Sequence, residues 1–121
     1  VERPDADLAP RVADVCQQLV AAGVAPRVMI DASHGNSSKQ PQNQPVVVAD
    51  IAAQVAAGGA SISGVMVESH LVGGRQDLVA GRPLAYGQSV TDGCIDWATS
   101  VEVLDALAQA VDARRKRRRA A

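Results

Sequence analysis

VMI at positions 28–30, followed by the polar stretch ASHGNSSKQPQNQ at 32–44, decides how the rest of the chain is read. Val28, Met29 and Ile30 form an apolar run too short for a buried helix, bounded by Pro26 and by polar residues. That pattern predicts a buried strand. The stretch after it is rich in Ser, Asn, Gln and Pro and lacks an apolar period, which predicts a loop. A loop this long in a small domain more often serves function than mere connection.

Working outward, residues 7–22 fit a helix. Leu8, Val12, Val15 and Leu19 lie on one stripe, Asp7 is placed to cap it, Pro10 falls in the first turn and Gly23 can close it. Residues 45–57 fit a second helix, with Pro45 at its start, Val48, Ile51, Ala52 and Val55 on one face, and Gly58-Gly59 at its end. ISGVMV at 62–67 reads as a second strand, 69–87 as another loop, and QSVT at 88–91 as a short third strand. The last helix is expected over 100–114, with Thr99 and Glu102 as a capping box and Val101, Leu104, Ala108 and Val111 as its apolar stripe. Strands alternating with helices predict parallel pairing through right-handed crossovers, an α/β fold.

The chain has 121 residues, 47% hydrophobic and only 2% aromatic, so its core must be built from aliphatic side chains. The net charge of -1 argues against a general polyanion binder, although RRKRRR at 114–119 opens a basic tail at 114–121. That tail suits the negative pole of a helix end. A nucleic-acid or anion-binding role for it is the rival reading, but no aromatic platform accompanies it. Cys16 and Cys94 make neither a disulfide framework nor a zinc-type CxxC pair, and a reducing, cytoplasmic setting is expected. No apolar run reaches the roughly 20 residues of a membrane span. The first residue is Val, and a piece of a longer protein is expected.

Each polar segment that follows a strand opens with a group able to bind a metal: His34, Glu68 and Asp92. Active sites of parallel α/β folds assemble at the C-terminal strand ends, and neighbouring strands are about 5 Å apart, so the three can converge. One imidazole and two carboxylates suit Mn²⁺, Fe²⁺, Co²⁺ or Zn²⁺. Each also has a plain alternative: a loop histidine, a solvated carboxylate, and a turn cap beside Gly93. Lys39 faces either a substrate phosphate or water. His70 either supports the site or bonds within its own loop. Arg75 and Arg82 read as surface charges, Tyr86 and Trp97 as packing residues.

The stretch Asp31-Ala32-Ser33-His34-Gly35-Asn36-Ser37-Ser38-Lys39 resembles the DxSHxNSSK motif of class I alpha 3-deoxy-7-phosphoheptulonate (DAHP) synthases. Gly64 to Leu71, GVMVESHL, resembles their GVMxESHL motif, and Tyr86 to Cys94, YGQSVTDGC, their YGxSxTDxC motif. The three occur in the family's order, with intervals of 34 and 24 residues between His34, Glu68 and Asp92. The resemblance runs from about residue 8 to residue 115.

It implies the C-terminal part of a (β/α)8 TIM barrel, about three βα units carrying strands six to eight, with residues 1–121 as a fragment of one synthase domain. It also implies condensation of phosphoenolpyruvate with erythrose 4-phosphate, the first step of the shikimate route. His34, Glu68 and Asp92 would be metal ligands; His34 would also be catalytic, and His34, Asp92 and Lys39 would meet substrate. The fourth ligand would be a cysteine on an earlier strand, with Cys94 a neighbour of the site rather than a ligand. Earlier strands would supply a KPRT segment for the substrate phosphates, so the fragment alone is expected to be inactive. A homo-oligomer without membrane or nucleic-acid partners is expected. The rival within the same chemistry is 3-deoxy-octulosonate 8-phosphate synthase.

Overall fold

The apolar triplet becomes strand β1, Val28–Asp31, in a computed structural model that describes residues 8–121. β1 pairs in parallel with β2, Ile62–Met66, placing Ile30 beside Val65 and Asp31 beside Met66. The Ala32 amide extends the ladder, donating to the Met66 carbonyl at 2.9 Å. Helix α2, Gln44–Ala56, is the crossover between the two strands and opens with Pro45. Its buried stripe is Gln44, Val48, Ile51 and Val55, and Ile51 packs with Ile30 and Ile62. Each such fully buried aliphatic side chain contributes about 1.5–3 kcal/mol.

Helix α1, Leu8–Ala21, ends as its sequence predicts. Gly23 has φ +71°, and the Val24 amide reaches back to the Leu19 carbonyl at 2.8 Å. The Asp7 cap lies outside the described residues. Of the stripe on α1, Leu8 is buried, Val12 and Leu19 are half-buried, and Val15 is exposed. An open apolar groove of about 420 Å³ separates α1 from β1, lined by Leu8, Val12, Val15, Leu19 and Met29. Among the described residues β1 has a partner on one edge only. One face of the β1–β2 sheet packs on helices; the other carries Met29 and Met66, 63% and 42% exposed. Parallel sheets are normally covered on both faces.

The third strand departs from expectation. β4 is only Gln88–Ser89, and it does not join the β1–β2 sheet. It pairs with β3, Val72–Arg75, inside a stretch read from sequence as loop. Two glycines in VGGR weaken its strand propensity, and pairing decides it instead. The chain touches the continuation of β2 further on, where Ser69 bridges Ile95. β4 stops early because the Ser89 hydroxyl captures the Thr91 amide at 3.1 Å, turning the backbone away. Gly87 is required at its start. With φ +78°, an added Cβ would sit 2.9 Å from the Leu71 side chain.

Helix α3 spans Trp97–Ala120, longer at both ends than predicted. The expected Thr99–Glu102 capping box is not its start: Asp96 is the cap, its carboxylate accepting the Thr99 amide at 2.8 Å. The buried face is also turned by one residue from the predicted stripe. Ser100, Val103 and Ala110 are buried with Leu107 beside them, whereas Val101, Leu104 and Ala108 of the predicted stripe are exposed. The tail at 114–119 is the last turns of this helix. Arg114 reaches the Gly59 carbonyl at 3.0 Å, and Arg115 lies 3.6 Å from Asp112. Tyr86 and Trp97, expected to pack, are 90% and 63% exposed. No helix among the described residues is long and apolar enough to cross a membrane.

Candidate metal centre

The loop after β1 folds around Asp31. Its carboxylate accepts the Ser33 amide at 2.8 Å and also the Ser33 hydroxyl, while its second oxygen lies 2.7 Å from His34 Nδ1. Asn36 donates to the Asp31 carbonyl at 2.7 Å, and Ser37 to that of His34 at 3.2 Å. The polar run is thus largely occupied in satisfying its own backbone. His34, Ser38 and Lys39 all have positive φ, at 46°, 54° and 57°. Such conformations persist only where surrounding bonds over-determine them, as at functional sites.

With Nδ1 turned to Asp31, His34 Nε2 faces the two acids, 3.5 Å from Glu68 Oε1 and 3.5 Å from Asp92 Oδ2. The donor atoms of the three residues all lie within 4.8 Å of one another. Two ligands at about 2.1 Å from a tetrahedral ion stand about 3.4 Å apart, so the spacing fits a divalent cation. The chemistry fits as well. A neutral Nε2 would otherwise aim its lone pair at two carboxylates, and both acids and imidazole suit a borderline divalent ion. His34, Glu68, Asp92 and Lys39 line a cleft of about 20 Å³, the room one water or ion needs.

Hydrogen bonding to Asp31, reinforced by its charge and those of Glu68 and Asp92, raises the His34 pKa above the usual imidazole value. Asp31 is lowered: burial pushes its pKa up, and the bonds from Ser33 and His34 outweigh that. Cys94 is buried, and burial is the main reason its thiol pKa is raised, so it stays protonated as a weak donor 3.9 Å from Glu68 Oε2.

Glu68 owes its placement to a residue the sequence reading passed over. Gln44, fully buried, accepts the Glu68 amide at 2.9 Å and donates to the Glu68 carbonyl at 3.1 Å. The signal was present: Gln44 continues the Val48, Ile51, Val55 stripe one turn upstream, a polar side chain on an apolar face. Asp92 follows β4 in an exposed turn with Gly93 rather than ending a strand beside β2. Arg75 supports that turn, donating to the Thr91 carbonyl at 2.7 Å and to Asp77 at 2.8 Å. His70 stands apart from the donor set; its Nδ1 accepts the Leu71 amide at 2.8 Å, the loop role of its two readings.

A model described as the DAHP synthetase I family matches residues 6–105. The chain belongs to the DAHP synthetase I family. It is 54% identical over 107 residues to the Phe-sensitive phospho-2-dehydro-3-deoxyheptonate aldolase of Escherichia coli, covering 88% of this chain and 31% of that one. It is 53% identical over 105 residues to the phospho-2-dehydro-3-deoxyheptonate aldolase of Haemophilus influenzae, covering 87% of this chain and 29% of that one. It also superposes on the solved structure of the Francisella tularensis aldolase with a TM-score of 0.82 at 47% identity, covering 87% of this chain and 30% of that one. The chain therefore spans about three-tenths of the length of these relatives.

Proposed function

We propose that this chain carries the metal-donor end of a DAHP synthase that condenses phosphoenolpyruvate with erythrose 4-phosphate. The observation that carries this reading is the convergence of His34 Nε2 on Glu68 and Asp92 at 3.5 Å each, on the motifs that resemble the family's. The names of the matched relatives favour a heptulosonate over an octulosonate product. The bare sheet face and the unpaired edge of β1 fit three βα units, strands six to eight, of a (β/α)8 barrel of about 250 residues. They also suit a homo-oligomer. Free thiols at Cys16 and Cys94 accord with a reducing, cytoplasmic setting.

In the reaction C3 of phosphoenolpyruvate attacks the aldehyde carbon, whose oxygen takes up a proton; water adds to C2, and the C2–O bond to phosphate breaks to release phosphate and leave a ketone. His34, Glu68 and Asp92 would hold a divalent ion, which when bound would supply Lewis acidity for the carbonyl chemistry. Glu68 and Asp92 would offset the ion's charge, and His34 would contribute a neutral nitrogen beside the phosphoenolpyruvate side. Lys39, on the rim of the cleft, supplies a cation for a substrate phosphate. The other cations such substrates need come from the rest of the barrel, so the 121-residue chain alone makes no product.

The test is a chimera in which residues 6–105 replace the matching segment of the Escherichia coli relative. DAHP formation that requires both substrates and is lost in His34→Ala and Glu68→Ala is expected. A folded chimera that prefers arabinose 5-phosphate, or turns over unchanged in both variants, overturns the reading.

A further inference from the structure

Asp31 touches neither the cleft nor its expected occupants, yet its bonds account for how His34 is presented. The carboxylate is itself fixed by Ser33 through both amide and hydroxyl, so it is a rigid acceptor. Its Oδ2 at 2.7 Å from Nδ1 draws the single proton of neutral His34 onto Nδ1, and Ser33 Oγ, 2.9 Å from Nδ1 with its own proton given to Asp31, can there only accept. The lone pair is then left on Nε2, the atom that faces Glu68 and Asp92. The bond also holds the ring in place on a backbone at φ 46°, which histidine seldom adopts.

Resting on the metal reading of the site, we propose that Asp31 is the positioning residue of the donor set, fixing the tautomer and ring orientation of His34. Partners of this kind typically change metal affinity about 10- to 100-fold when removed. His70 provides an internal contrast. Its Nδ1 accepts the Leu71 amide, so the proton of neutral His70 sits on Nε2. The chain has two histidines, and the bonds they make assign them opposite tautomers.

Long-range ¹⁵N–¹H spectra of the 121-residue chain, taken above the imidazole titrations, read both tautomers directly. Wild type is expected to show Nδ1–H at His34 and Nε2–H at His70. In Asp31→Ala, His34 is expected to change to the Nε2–H form favoured by free histidine, with His70 unmoved. Asp31→Asn keeps a carbonyl acceptor and is expected to restore Nδ1–H in part. Nε2–H at His34 in the wild type, or Nδ1–H persisting in Asp31→Ala, overturns the proposal; the first needs no variant to fold. Co²⁺ titration of the chimeric barrel adds the second readout, with affinity expected to fall about 10- to 100-fold in Asp31→Ala and less in Asp31→Asn. Unchanged Co²⁺ affinity in Asp31→Ala also overturns it. Should the barrel take up no Co²⁺ while the tautomers behave as expected, the metal reading fails and the positioning of His34 by Asp31 stands.

Discussion

At the scale of single residues, the centre is a balance among three carboxylates around one ring. His34 has a raised pKa, caused first by its bond to Asp31. A group whose pKa rises on folding adds stability that is full below its unfolded value, about 6.5, and is lost as pH climbs through the higher folded value. The metal-free chain is therefore expected to lose urea resistance as pH rises through the neutral range, and His34→Ala to flatten that slope. A slope identical in wild type and variant would show that His34 is not the group responsible. Metal uptake runs the other way. Protons compete for Nε2, so Co²⁺ affinity in the chimera should weaken as pH falls through the raised pKa of His34; equilibrium titrations on either side of neutrality would measure it. His34, Glu68 and Asp92 were legible as a set because each is a polar group standing just past an apolar run or within a turn signal. Asp31 was quoted within a motif yet had no visible task, because spacing alone cannot show that its carboxylate turns onto Nδ1.

At the scale of elements, the buried stripes of α2 and α3 each open with a polar side chain. Gln44 opens the stripe of α2 and grips the Glu68 peptide; Ser100 opens that of α3 and bonds Ser69. Each helix thereby fixes one of two successive residues beyond β2. Removing the Gln44 amide leaves the part-buried Glu68 N–H without its acceptor, which costs up to about 1–3 kcal/mol. Gln44→Ala is expected to lower chemical stability by about that amount plus a cavity contribution, read from urea midpoints. A change within about 0.5 kcal/mol, the range of ordinary surface substitutions, would show the clamp to be idle. Helix positions were readable from periodicity, as Val48, Ile51 and Val55 show. The start of α3 was not, because Thr99–Glu102 imitated one that Asp96 holds three residues earlier, and its face was not, because the more apolar Val101 and Leu104 lie one residue beyond the buried Ser100 and Val103. β3 was invisible because Gly73 and Gly74 carry no strand pattern, and it exists only through its pairing with β4.

At the scale of the whole molecule, the order of parallel βα units was legible from alternating strand and helix patterns, while the separate β3–β4 pair depended on contacts that local sequence does not encode. The described residues leave Met29, Met66, Tyr86 and Trp97 exposed and one edge of β1 unpaired. Exposed edges of this kind recruit other strands. Light scattering of the isolated chain is expected to give a mass above the 12.5 kDa of one copy; a stable monomer at that mass would mean the surface is adequately solvated. The placement of the donor set has one more effect. His34, Glu68 and Asp92 all lie between positions 34 and 92 of one stretch of chain. A break in the polypeptide upstream of that stretch would leave these three candidate donors and the orienting Asp31 on one piece and the expected cysteine ligand on the other. A four-donor centre would then form only where the two pieces reassociate.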